Sequence, residues 1–278
     1  MARPRPRRRS SPGIGWAGYL GIVLFLVAVS CGAALIYFAF FTERPPTVAE
    51  ETLCPLDGAR GVTVVLIDTS DDLPDATRRE VLGLLEEIVT TLPPYHKLDI
   101  RVLDVAGLRS RSLFAKCNPG NGTGLSEWTN NIEAARLRWI ESFRKPALEA
   151  IDKSVTPARA TASPIMGAIQ DIAISEFSGS ARQNIKKTLY VISDMIESTK
   201  DYSQYPRSGD LSYQRFRQSP AYLKYRTELH DATVFVRLVS RQVNGKPVVD
   251  DSQLMGFWRE WISDNRGLIG SLKRLQGA

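Results

Sequence analysis

The sequence has few of the side chains that usually hold transition metals, with only three cysteines and two histidines in 278 residues. Cys54 and Cys117 lie far apart in the chain without a CxxC pair or a neighbouring histidine, a spacing that matches no zinc site. His96 and His230 are isolated in polar surroundings, as surface and capping residues usually are. These shortages argue against a zinc-binding protein.

Acidic residues are missing from the start of the chain, where the first is Glu43. Five arginines lie within the first nine residues, and without them the 36 basic residues fall to 31, against 30 acidic ones. The net charge of +6 therefore belongs to a basic tail, residues 1–15, and the remainder is nearly neutral. This distribution gives no electrostatic footprint for DNA or RNA, so we expect no nucleic-acid partner.

Charged residues are also absent from Trp16–Phe41, a run of 26 residues. About 20 apolar residues suffice for a helix to cross a bilayer, and the run is too long for the core of a cleavable signal peptide. Because five arginines precede it, with Glu43 and Arg44 beyond its far end, the positive-inside rule places the tail in the cytoplasm. We expect a single-pass protein with residues 42–278 outside the inner membrane of a bacterium, in the periplasm.

Cys54 and Cys117 both fall in this outer part, where disulfides persist. A disulfide between them is a candidate, although the sequence does not show whether they approach each other. Residues 42–60, with paired prolines and scattered acids, are predicted to be a linker.

The rest of the chain, residues 61–278, alternates between strand and helix patterns, with a less regular insertion near 107–160. We expect a doubly wound α/β fold, in which a mainly parallel sheet carries helices on both faces, because parallel strands need long crossovers. The predicted strands are 63–67, 98–105, 112–117, 187–193 and 233–240. The predicted helices are 75–92, 127–153 with a kink at Pro146, 164–177 with Ser163 as its N-cap, 219–231 and 251–264.

Oxygen-bearing side chains follow two of the predicted strands. Asp68, Ser70 and Asp72 come after the first strand, and Asp194 ends the strand at 187–193. Ligands in such sheets bind at the carboxyl ends of the strands, so we expect these groups to converge, together with Ser163. A set of hard oxygen ligands favours Mg²⁺, Mn²⁺ or Ca²⁺.

These residues resemble the metal-ion-dependent adhesion site of von Willebrand factor A-type domains. Asp68-Thr69-Ser70-Asp71-Asp72 is similar to the family's Asp-x-Ser-x-Ser motif, with Asp72 in place of the second serine. Ser163 stands at the position of a threonine that precedes a helix. Asp194 matches an aspartate at a later strand end, with Met195 replacing the glycine that follows it.

The resemblance spans residues 61–278 and implies a site made of Asp68, Ser70, Asp72, Ser163 and Asp194. It also implies a divalent cation with one open position, which an acidic side chain of a protein partner would complete. The chain would then be a membrane-anchored interaction module without catalysis of its own.

Three other interpretations stay open at the level of sequence. Ser70, Asp71 and Asp72 are residue types that make turns and cap helices without any metal. A strand-end aspartate also occurs in Mg²⁺-dependent phosphohydrolases of the haloacid dehalogenase type, although these carry Asp-x-Asp where this chain has Asp68-x-Ser70. The third interpretation is a metal-free scaffold subunit of an envelope complex. Residues 200–217 are rich in tyrosine and arginine, and they would form either its binding loop or a solvated surface loop.

Overall fold

The structure is a computed structural model, and it forms two compact units that meet in the sequence between Pro46 and Thr47. It describes residues 15–41 (38–41 as backbone only), 46–68, 74–104, 106–107, 109–124, 131–154, 162–205, 211–243 and 246–275.

The first unit is one helix, α1 (Trp16–Phe41), as the sequence predicts. Its described side chains are almost all exposed. The segment Trp16–Tyr37 is long and apolar enough to cross a membrane. Length and composition thus support a membrane anchor.

The second unit is built on a six-stranded sheet in the order β3-β2-β1-β4-β5-β8. All neighbouring strands are parallel except β3, which runs antiparallel to β2. A separate two-stranded ribbon pairs β6 with β7. The strands are β1 (Gly61–Ile67), β2 (His96–Asp104), β3 (Arg109–Cys117), β4 (Lys186–Ser193), β5 (Thr233–Leu238), β6 (Gln242–Val243), β7 (Lys246–Pro247) and β8 (Leu268–Arg274).

Helices cover both faces of the sheet, because alternate residues of the central strands point to opposite sides. Val64 and Leu66 of β1 join one apolar cluster, whereas Val65 and Ile67 join the other. The first face carries α5 (Ile165–Ile172), α6 (Tyr213–Arg217), α7 (Pro220–Tyr225) and α8 (Asp251–Asp264). The second face carries α2 (Asp75–Thr91), α3 (Ile132–Trp139) and α4 (Lys145–Ser154). The predicted doubly wound α/β fold is confirmed.

The predicted linker is shorter than expected, because the second unit begins at Thr47. Val48 pairs with Pro55 in an isolated bridge, and Leu53 is buried in the core under α2. Cys54 is bonded to Cys117 at the end of β3, with an S–S distance of 2.01 Å. Residues 47–60 therefore form part of the domain.

The long helix predicted for 127–153 is present from Ile132 onwards, and residues 125–130 lie outside the described part. A π turn, Ile140–Arg144, separates α3 from α4 just before Pro146. Proline lacks an N–H donor and disturbs the preceding turn of a helix, which a wider π turn accommodates. A second π turn, Ala173–Phe177, continues α5.

The helix predicted for 219–231 is wrong beyond Tyr225, where α7 ends. The backbone N–H of Thr227 donates instead to the Asn265 side chain at 2.6 Å. His230 and Asp231 have φ angles of 51° and 59°, in the left-handed region that a helix does not use. Tertiary contacts therefore override the local helical pattern.

Two further predictions need correction. The segment 200–217 is not simply a loop, since its described end forms α6 with Tyr213 and Phe216 buried. The edge strand β8 has no counterpart in the sequence prediction. Its seven residues are half-buried at most, so they lack the apolar run that marks a central strand.

Candidate functional site

Asp68 lies at the carboxyl end of β1, where the strand leaves the sheet. Ile67 pairs with Ile192 of β4 in parallel register, and the Asp68 backbone N–H donates to the Ile192 carbonyl at 2.9 Å. The Asp68 side chain is buried, with 8% of the residue exposed. A carboxylate that loses water in this way needs hydrogen-bond donors or a cation.

Two serine hydroxyls supply donors to the same oxygen of Asp68. Oδ2 accepts a hydrogen bond from Ser163 Oγ at 3.0 Å and another from Ser193 Oγ at 2.8 Å. Ser193 Oγ in turn accepts a hydrogen bond from the Met195 backbone N–H at 2.8 Å. This contact orients the Ser193 hydroxyl so that its proton points to Asp68. Oxygens from three separate chain segments thus meet at one point of the sheet edge.

The role predicted for Ser163 as an N-cap is wrong, because α5 begins one residue later with Pro164 at the cap position and no side-chain cap from Pro164. Ser163 instead pairs with Ser198 through two backbone hydrogen bonds, of 2.9 and 3.0 Å. This bridge leaves the Ser163 hydroxyl directed at Asp68. The structure therefore brings Ser163 into the site predicted for it, but by a different local geometry.

Asp194 follows Ser193 directly, so it lies at the same edge of the sheet as Asp68. Its Oδ1 accepts from the Ile196 backbone N–H at 2.9 Å, which turns the chain away from β4. Its Oδ2 lies 3.8 Å from Arg241 Nη1. Asp194 is thus held by a turn and faces a guanidinium group.

Met195 adopts a left-handed backbone conformation, with φ of 58°. A non-glycine residue in this region of backbone conformation costs about 1 kcal/mol. The von Willebrand factor A-type motif that this segment resembles has glycine at the position. The fold holds the residue in place because its side chain is buried and its carbonyl accepts from Trp258 Nε1 at 2.7 Å. The chain therefore keeps the turn after Asp194 without the glycine.

Ser70 and Asp72 lie outside the described residues. Within the part that is described, no group of three histidine, cysteine, aspartate or glutamate side chains is close enough to hold a metal ion. The described candidates therefore amount to two carboxylates and serine hydroxyls.

Glu197 lies fully buried beside this site and was not predicted from the sequence. Its Oε2 accepts from the Met166 backbone N–H at 2.8 Å, so it satisfies a donor in the first turn of α5. Its Oε1 has no hydrogen-bond partner among the described residues. Burial raises the pKa of Glu197 to about 8, with a smaller contribution from the negative charge of Asp68, against the lowering by backbone donors. Glu197 is therefore mostly a neutral acid at pH 7.

Replacing Glu197 by glutamine should flatten the pH dependence of stability. A carboxyl whose pKa is raised on folding stabilises the protein below the unfolded pKa, near 4.5, and that stability is lost as the pH rises through the folded value near 8. For the wild type, raising the pH from 5 to 8 should therefore lower the free energy of unfolding by roughly 3 kcal/mol. Glutamine keeps the acceptor for Met166 and does not titrate.

Urea unfolding of the detergent-solubilised chain at several pH values measures this effect. The matched control is Glu133→Gln, which removes an exposed glutamate paired with Arg136 and should leave the pH slope unchanged. Parallel pH profiles for wild type and Glu197→Gln would contradict the assignment.

No protein-family model and no curated protein sequence matches the chain. Several solved structures are similar to it at low identity. An aerotolerance-related membrane protein from Bacteroides fragilis, with multiple mutations to serine, is 13% identical and aligns over 77% of this chain and 92% of that chain, with a TM-score of 0.38.

Two further structures align over a similar part of the chain. A von Willebrand factor type A protein from Catenulispora acidiphila is 14% identical over 78% of this chain and 39% of that chain, with a TM-score of 0.41. BatB from Bacteroides thetaiotaomicron is 13% identical over 78% of this chain and 91% of that chain, with a TM-score of 0.38. At such TM-scores the likeness does not establish a family, and the α/β fold rests on the strand order and the helix layers themselves.

Sequence reasoning named Asp68, Ser163 and Asp194, and it missed Ser193, Glu197 and Arg241. Ser193 carried a weak signal, because it is the last residue of a predicted strand. Glu197 and Arg241 carried none, because their approach depends on the paths of the segments after β4 and β5.

Proposed function

We propose that the chain is a membrane-anchored protein-interaction module, without catalysis of its own, that binds a divalent cation at the carboxyl edge of its sheet. The ligands would be Asp68, Ser70, Asp72, Ser163 and Asp194, and the ion Mg²⁺, Mn²⁺ or Ca²⁺. An acidic side chain of a protein partner would complete the shell.

The observation that carries the proposal is the meeting of Asp68 with the hydroxyls of Ser163 and Ser193 at one strand end. Each is a hard oxygen donor, and Asp194 adds a carboxylate at the same edge, a donor set suited to Mg²⁺ or Ca²⁺ and unsuited to softer metals. Because Glu197 is mostly protonated at pH 7, it adds little to the negative charge there.

The proposed location outside the cytoplasm rests on two independent features. The arginines of residues 1–15 favour a cytoplasmic tail. A disulfide between Cys54 and Cys117 persists in an oxidising compartment. Both features support the proposal that the second unit lies on the outer side of the membrane, in a bacterial periplasm.

The phosphohydrolase alternative is not favoured. Such an enzyme needs a second acid two residues after the nucleophile, where this chain has Ser70.

Calorimetric titration of the full chain in nanodiscs with Mg²⁺, Mn²⁺ and Ca²⁺ tests the proposal. Wild type should bind at least one of these ions. Asp68→Ala should abolish binding, because the central carboxylate is lost and the hydroxyls of Ser163 and Ser193 lose their acceptor. Asp57→Ala, which removes an exposed aspartate paired with Arg60, is the matched control and should bind as wild type does.

Equal ion binding by Asp68→Ala and wild type would contradict the assigned ligands. The absence of binding by wild type would leave the metal-free scaffold as the better interpretation.

A further inference from the structure

Half of one sheet face has no described helix over it. Strands of a parallel sheet are normally buried on both faces. On β4 and β5 the face towards α5 to α8 meets this expectation, since Leu189, Val234 and Val236 are buried. On the opposite face Thr188 and Ile192 of β4 are buried, but Tyr190 and Phe235 are only partly buried, although α2 and α4 cover the neighbouring β1 and β2 on that side.

The uncovered area has a flat aromatic floor. The rings of Tyr190 and Phe235 stack with centroids 4.8 Å apart and planes 14° apart. Gly270 on the edge strand permits this arrangement, because a Cβ atom there would lie 2.6 Å from Cε1 of Phe235. The guanidinium of Arg237 lies 5.8 Å from the Phe235 ring centroid and donates to Ser271 Oγ at 2.9 Å. Neighbouring side chains thus hold the two rings flat.

An apolar wall borders this floor at its amino end. A cavity of about 350 Å³ opens there between α2 and the sheet, lined in part by Ile88, Leu92 and Pro93 together with Tyr190 and Phe235. Across the sheet, Leu268 of β8 is 54% exposed and pairs with Thr233 on the same face. Apolar contact surface therefore extends from α2 to the edge strand.

Basic side chains predominate around the area. Lys186 precedes Thr188 and Tyr190 on the same face of β4, and Lys273 pairs with Arg237 across β5 and β8. Both lysines are exposed. Glu87 of α2 is close enough for its charge to act on Tyr190. With three basic groups to this one acid, the rim favours an acidic partner.

The dimensions fit one helix. Two spacings of about 4.8 Å separate β4 from β8, so the width from β4 to the sheet edge is close to the 10 Å diameter of an α-helix. The pairing from Thr233–Leu268 to Leu238–Arg274 covers six residues. That is about 20 Å of strand, or the length of a helix of roughly 13 residues.

We propose that this half-face, defined by Tyr190, Phe235, Arg237, Leu268 and Lys273, docks a single amphipathic α-helix of a partner protein, with an apolar stripe and acidic flanks. The helix completes the layer that the described residues leave open on this side. The surface lies on the face of the sheet, whereas the proposed cation site lies at its carboxyl edge. The two proposals therefore stand or fall separately.

Two synthetic 18-residue helices serve as probes. Both carry the same leucine stripe on an alanine background, with glutamates on the flanks of one and lysines on the flanks of the other, and both are labelled for fluorescence anisotropy. They are titrated against the full chain in nanodiscs of phosphatidylcholine, a lipid without net charge. Empty nanodiscs correct for binding to the bilayer.

The acidic probe should bind at least tenfold more tightly than the basic probe. Lys186→Glu combined with Lys273→Glu should reverse this preference, because the rim becomes acidic. The matched control, Lys200→Glu with Arg259→Glu, places the same charges at exposed positions on the loop after β4 and on α8 and should leave the preference unchanged. Phe235→Ala should weaken the acidic probe at least tenfold, with circular dichroism confirming that the variant folds.

Several results would overturn the proposal. These are equal affinity for the two probes, no binding of either probe, or a preference that the control pair reverses as well. Self-association of the full chain that Lys186→Glu and Lys273→Glu abolish would also overturn it, because the occupant would then be a second copy of this chain.

Discussion

Removal of the Cys54–Cys117 disulfide is expected to lower the free energy of unfolding of the second unit by about 4 kcal/mol. The bridge joins positions that are 63 residues apart in the sequence. Closing so long a loop restricts the unfolded chain, and the loss of that restriction on reduction stabilises the unfolded state.

The folded state has few other contacts to replace the bridge. The Cys117 backbone N–H donates to the Thr52 carbonyl at 2.8 Å, and Leu53 is buried against the cluster under α2. One hydrogen bond contributes about 1 kcal/mol and one buried leucine about 2 kcal/mol. Without the disulfide, residues 47–57 should therefore detach first, before the sheet unfolds.

Urea unfolding of the solubilised chain with and without a reducing agent measures the effect on folded wild-type protein, so it does not depend on a variant that folds poorly. The double variant Cys54→Ser/Cys117→Ser should match the reduced wild type. Cys31→Ser changes the unpaired cysteine of α1 and should have no effect on this transition. Coincident unfolding curves for oxidised and reduced protein would show that the bridge does not stabilise the domain.

The central elements could be predicted because burial on both faces leaves a local signal. β1 is seven residues of GVTVVLI, all buried, and the sequence shows an apolar run at the same place. α2 was predicted to within one residue, since Val81, Leu85 and Ile88 recur at helical spacing and Pro93 follows its end. An element that is buried throughout, or along one regular face, can therefore be predicted from its sequence pattern.

The elements that could not be predicted have mixed environments. β8 lies at the edge of the sheet with one face largely uncovered by the described residues. Apolar and polar residues therefore alternate only weakly in its sequence, LIGSLKR, and the pattern is typical of a loop. α7 stops at Tyr225, and Asn265, distant in sequence, accepts from the backbone N–H of Thr227. A local pattern cannot contain information about such partners.

The candidate site divides in the same way. The position of Asp68 followed from the rule that ligands bind at the carboxyl ends of parallel strands, and Ser163 does reach its carboxylate. The buried acid Glu197 could not be predicted, because ESTK after the strand resembles an ordinary surface turn. Its burial depends on the Ser163–Ser198 bridge, which closes the loop over it.

A buried charge network on the face under α5 leads to the second large effect. Arg101 of β2 donates from Nε to Asp99 at 2.8 Å and from Nη1 to Ser110 at 2.8 Å. Its Nη2 lies 3.2 Å from Glu176, in the π turn after α5, and Nη1 lies 3.3 Å from Asp171 of α5 itself. One guanidinium thus serves three carboxylates, and only Glu176 is also paired with a lysine, Lys97 at 2.6 Å.

Arg101→Met should therefore destabilise the second unit by about 3–5 kcal/mol, because it leaves the buried carboxylate of Asp99 without its cation. Methionine fills a similar volume, so the loss reports the charge and not a cavity. Asp99 is fully buried, and Ser112 Oγ, at 2.7 Å, remains a donor to it. Adding Asp99→Asn should recover part of the loss, since the most buried unpaired charge is then removed.

Urea unfolding of the single and double variants measures both effects, with Arg136→Met as the control. Arg136 is an exposed arginine paired with Glu133 three residues earlier in α3, and an exposed pair of this kind contributes less than about 1 kcal/mol. If Arg101→Met and Arg136→Met cost the same, the network does not hold β2 to α5. A further outcome is that Arg101→Met alone lowers the free energy of unfolding while the added Asp99→Asn restores none of it. The guanidinium then acts mainly through Asp171 and Glu176. In that case the π turn that carries Glu176 over β2 depends on Arg101.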